Sequence, residues 1–498
     1  MEQIIWILIV AIFCGVCAAW AFYARGQAES DLSVSLKRSA RQTALVDPLM
    51  LPSCLIAMFF TVILLSPSEH VETLLAGLFT LLLLYISVYY AVLLCALPLL
   101  RRFFSARACA TLWLLPTFLY LFANFRSLNG APPLITLTLP RRWIGTIALV
   151  WGTGFVLVLL WQIVSHFRYR RLLLRDAEPV RDREVLSLWE NEQKRRNVKR
   201  LIPALVSDRT PTPLTIGCFA RTMRLVLPRL NYTQEEFRLI FQHEMRHIQR
   251  MDARTKAFLG FCTALCWFNP LMWVARRKVS NDLELSCDEL VLTYADEHTR
   301  KQYAALLLDT AGSGRGYTTC LSAAASSLRY RLKHIMKPRR RLPGSFLVGL
   351  VLFALIMGSN LFACADSPDT MQALVFDQAL EGAVMDSIFI QNWGDISENR
   401  DVYGWDEDAL TEYLASLRLR QAYTTDTYTS LTDKRRALII DYRSETGDKW
   451  SPFFLCDGFL FVEYPFDSRS RLIFLLEDEI DWDRIESLLD FGWDRPGA

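Results

Sequence analysis

The chain has 498 residues, 52% of them hydrophobic and 12% aromatic, with a mean hydropathy of +0.20. That is too apolar for an ordinary soluble enzyme of this size. The net charge of +3 is unevenly spread: residues 366–498 carry 12 Lys+Arg against 28 Asp+Glu, a net −16, while the rest of the chain is +19. A break of that size marks a separate C-terminal domain.

The apolar residues gather in long runs. Ile4 to Ala24 is 21 residues, about 31 Å as a helix and enough to cross the hydrocarbon core of a bilayer. Met50 to Ser66, Thr73 to Leu100, Ala108 to Phe125, Trp143 to Ser165 and Phe346 to Ala363 follow, so six spans are expected. The first run lacks the charged n-region and small-residue cleavage site of a signal peptide and is expected to be an anchor. Lysine and arginine in the short loops set the orientation. Arg25, Lys37, Arg38 and Arg41 after the first span, and Arg101, Arg102 and Arg107 after the third, read as cytoplasmic; PSEHVE between spans two and three reads as outside. HFRYRRLLLR after span five and RYRLKHIMKPRRR before span six are strongly basic. Arg141 and Arg142 are the one conflict. The division expected is 1–165 as an N-terminal membrane domain of about five spans, 166–341 as a cytoplasmic domain, 342–364 as the last span and 365–498 as an acidic extracytoplasmic domain. The N-terminus and the C-terminal domain are then outside. The basic run Arg168 to Arg200 reads as a positive-inside flank lying on anionic headgroups in preference to a nucleic-acid patch, so no direct nucleic-acid partner is expected.

Within the cytoplasmic segment, Thr233 followed three residues later by Glu236 is a capping box, which predicts a helix carrying His243-Glu244-Met245-Arg246-His247 in its interior. Residues four apart share a helix face, so both imidazoles can reach one metal ion with Glu244 beside them. With 6 His in the chain, His-Glu-x-x-His should arise by chance on the order of 0.005 times; a helix with two surface histidines and a salt-bridging glutamate is the competing reading. Downstream, Asn269-Pro270 reads as N-cap and first helical position of a second helix from about Leu271 to Tyr294. It carries Glu284 and Asp288, again four apart. Two histidines from one helix and a carboxylate from another make the three protein ligands of a catalytic zinc site with its fourth position open. The broken apolar stretch Ala257 to Val274 is expected to bury the domain's core against protein or membrane.

His-Glu-x-x-His, Asp252, Cys-Trp-Phe-Asn-Pro at Cys266 to Pro270 and Glu-x-x-Cys-Asp at Glu284 to Asp288, with TPLTIGCFARTMRLVLP from Thr212 to Pro228 upstream, together resemble the BlaR/MecR-type membrane metallopeptidases, antirepressor gluzincins. The likeness spans roughly Thr212 to Ala295. It implies a multi-span α-helical membrane protein of the bacterial cell membrane with an α-helical/α+β gluzincin domain, and one Zn2+ per chain held by His243, His247 and Glu284. Glu284 is then the third ligand, and Cys287 is a packing residue. Glu244 is the expected general base of peptide hydrolysis, and Asp252 and Asp288 are candidates for groups that orient the ligand imidazoles. By the same analogy the strand near Arg224 to Leu227 would add a substrate strand to its edge. Partners implied are the bilayer and a protein substrate such as a cytosolic transcriptional repressor or the chain itself, with homodimerisation open. A constitutive quality-control or processing protease similar to HtpX or CAAX-type gluzincins, and a non-catalytic receptor with a structural metal site, are the alternative readings.

The tail departs from the β-lactam-sensing members. It is shorter than a penicillin-binding sensor domain, and neither Lys434 nor Lys449 has a serine three residues before it. Alternating runs AVMDSIFI, RALIIDY, FFLCDGFLFVEY and RLIFLL predict strands, with Asp457-Gly458 as a hairpin turn; EDALTEYLASLRL and DWDRIESLLDF predict amphipathic helices. A small α+β domain is expected. Cys364 and Cys456 allow at most one disulfide there, and His166, His298 and His334 are expected to be solvated.

Overall fold

The structure, a computed structural model, describes residues 2–30, 47–65, 68–121, 135–196, 198, 200–219, 221–229, 232–312, 321–336, 341–358, 361–377, 380–392, 399–422, 436–444, 450–463 and 471–491. Among them three helices are long and apolar enough to cross a membrane, Leu8–Gln27, Glu72–Phe103 and Arg141–Leu174, and three shorter apolar helical stretches are Met50–Thr61, Ala106–Leu119 and Ser345–Met357. All six runs expected to span are thus helical, but two behave differently from a simple span. The run from Ala108 folds as a short α-helix, Ala106–Leu112, followed by a 3-10 turn, Leu115–Leu121. Its Ala108, Cys109, Leu112, Trp113 and Leu115 are all fully buried, so protein, not lipid, covers that apolarity. The last run is helical only over Ser345–Met357; Phe362–Ala365 is a strand. Lys37, Arg38 and Arg41 lie outside the described residues.

The first and last of these helices cross closely. A Cβ on Gly349 would lie 2.5 Å from the carbonyl oxygen of Gly15, so the approach depends on both positions lacking a side chain, as small residues do between membrane helices.

Beside the apolar helices sits a small mixed sheet. With β1 as Ile135–Thr138, its strands are β2 Glu178–Pro179, β3 Ala204–Val206, β4 Leu214–Ile216 and β5 Arg224–Leu227, in the order β2-β3-β5-β4. The motif helix Gln234–Gln249 packs on it through Phe241 and Met245, against Trp189, Leu225 and Leu227, all nearly or fully buried. A second core is continuous from the long apolar helices into the helices beside the motif. Leu93, Leu97 and Trp113 share one cluster with Phe258, Cys262, Leu265, Met272, Val279 and Leu283, so the stretch from Ala257 to Val274 does bury itself against protein.

The C-terminal residues form an eight-stranded sheet. Its strands are β7 Asp369–Thr370, β8 Ala383–Asn392, β9 Arg400–Asp401, β11 Arg418–Gln421, β12 Arg436–Ser444, β13 Trp450–Cys456, β14 Phe459–Glu463 and β15 Arg471–Leu476, ordered β7-β11-β15-β14-β13-β12-β8-β9. Every pairing in it is antiparallel, with Ile440 opposite Ile388 and Phe453. Gly458 at φ 81° makes the turn between β13 and β14, a conformation that favours glycine. Helices Glu407–Ser416 and Trp482–Ser487 contribute Leu410, Leu414 and Ile485 to its core. Both are shorter than their patterns predict, because β11 and a short strand at Leu489–Asp490, which pairs with β10, Gly404–Trp405, take over where pairing partners are in reach. Cys364 and Cys456 are both buried, and no disulfide joins them.

Among the described residues, strands β1 and β6 help fasten this sheet to the apolar helices. β1 pairs in parallel with β6, Phe362–Ala365, in the register Ile135 to Phe362. The Arg141 amide donates to Asp366 Oδ1 at 3.1 Å, and Arg420 donates to Thr138 Oγ1 at 3.1 Å. The fastening lies at the first turn of Arg141–Leu174, where the unexpected positive charges of the outside loop stand.

Candidate metal centre

The motif helix begins as its capping box dictates: the Thr233 hydroxyl accepts from the Glu236 amide, and the Glu236 carboxylate accepts from the Thr233 amide at 2.7 Å. The second helix, Pro270–Val291, is capped by Asn269, whose side chain accepts from the Leu271 amide at 3.0 Å. They bring His243, His247 and Glu284 together. The two Nε2 atoms are 3.1 Å apart, and the Glu284 oxygens lie 3.4 Å from His243 Nε2 and 3.6 Å from His247 Nε2. A tetrahedral cation with bonds of about 2.0–2.2 Å needs its ligand atoms roughly 3.3–3.6 Å apart. The donor set and its spacing therefore fit one metal ion.

The rear nitrogens are held from behind. His247 Nδ1 is 2.7 Å from Asp252 Oδ2, and Asp252 is 1% exposed. His243 is held differently from the expectation: Asp288 reaches it through Tyr303. The Tyr303 hydroxyl lies 2.9 Å from His243 Nδ1 and donates to Asp288 Oδ1 at 2.7 Å. With its one proton given to Asp288, that hydroxyl can only accept from His243 Nδ1–H, which leaves the Nε2 lone pair for the metal side. Arg331 closes the network, donating to both Asp288 oxygens at 2.7 Å and standing 3.3 Å from Glu284 Oε2. Burial, followed by the Asp288 charge, pushes the Tyr303 phenol well above its usual range, so it stays a donor.

Cys287 lies 3.4 Å from His247 Nδ1 and 3.6 Å from Asp252 Oδ2. It therefore stands on the rear side of the imidazole, away from the Nε2 atoms, where Arg250 also donates to its sulfur. Burial raises its own pKa, keeping it a thiol. Burial alone would lower the His247 pKa, but Cys287, Glu284 and Asp252 outweigh it and hold it well above the usual histidine value. Glu284 is held well below the carboxylate range, since both histidines and Arg331 overcome its burial.

Glu244, 6% exposed, accepts from the Thr215 hydroxyl at 2.7 Å. Thr215 is on β4, one of the two edge strands of its sheet among the described residues. The expectation for Arg224 to Leu227 is corrected: β5 lies between β3 and β4, with both edges occupied, Leu225 opposite Ala204 and Val226 opposite Leu214. Of the sheet's two edge strands, β2 and β4, it is β4 that lies beside the motif helix. It borders a cleft of roughly 820 Å³ that contains the His243, His247 and Glu284 side chains and reaches Gln162, His166 and Tyr169 on Arg141–Leu174. Of the histidines expected to be solvated, His298 and His166 are exposed. His334 is half-buried against the Tyr330 ring, and burial lowers its pKa.

Thr215, Tyr303 and Arg331 escaped the sequence. Thr215 sits in an unremarkable strand, Tyr303 in a helix without a motif, and Arg331 in a run whose charge already had an explanation at the membrane surface.

A family model described as BlaR1 peptidase M56 matches residues 135–335. The chain is 24% identical over 188 residues to Regulatory protein BlaR1 of Bacillus licheniformis, covering 38% of this chain and 31% of that protein. It is 23% identical over 171 residues to the Methicillin resistance mecR1 protein of Staphylococcus aureus, covering 32% and 28%. The chain thus spans less than a third of the length of these curated relatives. The match takes in the elements that bring His243, His247 and Glu284 together, and over that region the chain is similar to the BlaR/MecR proteins.

Proposed function

We propose that this chain is a membrane zinc endopeptidase that hydrolyses a cytosolic protein, a transcriptional repressor or the chain itself, in response to a signal received by its C-terminal domain. The observation that carries the proposal is the convergence of His243, His247 and Glu284 at tetrahedral spacing, with Glu244 in the adjoining cleft wall. Bound there, zinc would supply a Lewis acid that lowers the pKa of a coordinated water toward about 7 and stabilises developing negative charge. Glu244 takes the proton of the attacking water and returns it to the leaving amine. Thr215 keeps the Glu244 carboxylate turned into the cleft, and β4 offers its free edge to the substrate backbone. Asp252 and Tyr303 fix the two imidazoles. A purely structural site would have no use for a carboxylate held in this way.

The signalling half rests on Arg141–Leu174. One end is tied to the C-terminal sheet through β1, β6 and Asp366, and the other lines the cleft. Six spans, with the cleft on the cytoplasmic side and the tail outside, belong to the same proposal. It is tested in membranes by assaying cleavage of co-expressed cytosolic proteins and of the chain itself, with and without residues 366–498. Cleavage that is zinc-dependent and altered by removing the tail is expected. Cleavage that stays the same under every condition sinks the sensor role and leaves a constitutive protease.

Metal uptake should depend on pH in a defined direction. His247 is held protonated above the usual histidine value, and it must lose that proton to bind metal. Its contribution to the stability of the metal-free protein is present at low pH and is lost as pH rises through the raised pKa. Zinc affinity runs the other way. It is expected to increase with pH through the same window, with release of about one proton per zinc at neutral pH. Calorimetric titration in buffers of different ionisation heat measures that number directly; a value of zero would contradict the shifted histidine.

A further inference from the structure

The charges that line the cleft do not balance away from the metal ligands. Its three carboxylates are all engaged: Glu244 with Thr215, Asp252 with His247, and Glu284 with the histidines and Arg331. Of the cations, Arg331 is tied to Asp288, and Arg254 to Asp47 and to the Cys218 carbonyl. Two remain. Arg276, half-buried on Pro270–Val291, and Lys256, exposed on Asp252–Leu265, have no hydrogen bond or ion pair among the described residues, and both border the cleft. Burial without a counter-charge pulls the Arg276 guanidinium below the usual arginine range. A half-desolvated guanidinium left unpaired is costly, and its fork suits a carboxylate.

Distance says where such a carboxylate would come from. Arg276 precedes Glu284 by eight residues, about 12 Å along the helix axis. An extended peptide covers that distance in roughly three to four residues. We propose that Arg276, assisted by Lys256, forms a subsite selecting peptide substrates that carry an acidic side chain about three to four residues from the scissile bond. The subsite rests on the peptidase reading above, since it shares that cleft. The other source of negative charge near Arg141–Leu174 is an anionic lipid headgroup, but Arg276 and Lys256 line the wall of the cleft that holds Glu244, which favours a bound peptide.

The test separates binding from cleavage. Full-length Glu244→Gln protein, zinc-loaded in phosphatidylcholine nanodiscs, is titrated with three fluorescein-labelled decapeptide pools, each of uncharged residues plus one Glu, one Gln or one Lys. The Glu pool is expected to bind about 10-fold tighter than the Gln pool. Arg276→Gln should abolish the difference and Arg276→Glu should turn it toward the Lys pool, with zinc content unchanged as the check on folding. Equal binding of the three pools, no binding of any, or a Glu preference that survives both substitutions overturns the proposal. So does an Arg276 effect that appears only when phosphatidylglycerol replaces phosphatidylcholine, since that assigns the site to lipid. Cleavage of any pool by the chain with Glu244 intact reports on the peptidase independently of these outcomes.

Discussion

Glu244→Gln is expected to leave one zinc per chain in place and to reduce peptide cleavage by about 100- to 10,000-fold, the contribution of a positioned general base. The substitution is nearly isosteric. Glutamine keeps an oxygen that can accept from the Thr215 hydroxyl, now 2.7 Å from Glu244 Oε2, and Glu244 contributes no atom to the cluster of His243, His247 and Glu284. What disappears is the capacity to take a proton and give it back. Metal analysis and cleavage measured on the same membrane preparation decide the matter. Equal zinc with lost cleavage identifies Glu244 as the base. Loss of zinc together with cleavage would mean that Glu244 holds the site together, and equal cleavage would remove it from the mechanism.

The legibility of this site follows from how local each part is. His243, Glu244 and His247 lie on one helix, Glu284 and Asp288 on another, and helical spacing alone aligns each group. Asp252 follows His247 by five residues and is brought behind it by the chain reversal at Met251, whose φ of 57° opens the next helix. Tyr303 and Arg331 are legible to no such rule. They arrive from two further helices, and only packing reveals that Asp288 acts on His243 through a phenol. Apolarity has the same weakness. The sequence registers that Ala108 to Phe125 avoids water but not what covers it, and Trp113 and Leu115 turn out to be fully enclosed by protein. The strands of the tail were readable because period-2 alternation is local; the helices there ended early because β11 and Leu489–Asp490 answer to distant partners.

The largest effect on stability is expected two residues from the proposed metal ligand Glu284. Asp282, 1% exposed, accepts from Arg101 Nε at 2.8 Å, from Arg101 Nη2 at 2.9 Å and from the Trp113 indole at 2.8 Å. One carboxylate thus joins the end of Glu72–Phe103, the buried turn after Ala106–Leu112 and the helix that carries Glu284. Glu289, on the same helix, accepts from the Ala106 amide at 2.7 Å. Asp282→Ala strands a guanidinium and an indole N–H. Breaking a buried pair costs roughly 3–5 kcal/mol, and since the Arg101 side chain keeps 20% of its exposure, water can relieve part of that, so a loss of about 3 kcal/mol is expected in denaturant unfolding of the detergent-solubilised chain. Arg101→Met combined with Asp282→Leu removes both charges and should recover most of the loss. A double variant as unstable as the single would mean that the cost lies in lost packing instead of an orphaned charge. If the pair also seats Glu284, zinc affinity will fall in the single variant and return in the double, because the helix would then be held at the membrane side by the same contact that sets its rotation. Unchanged affinity in both would confine Asp282 to stability and leave Arg331 and Asp288 as the groups that place the third ligand.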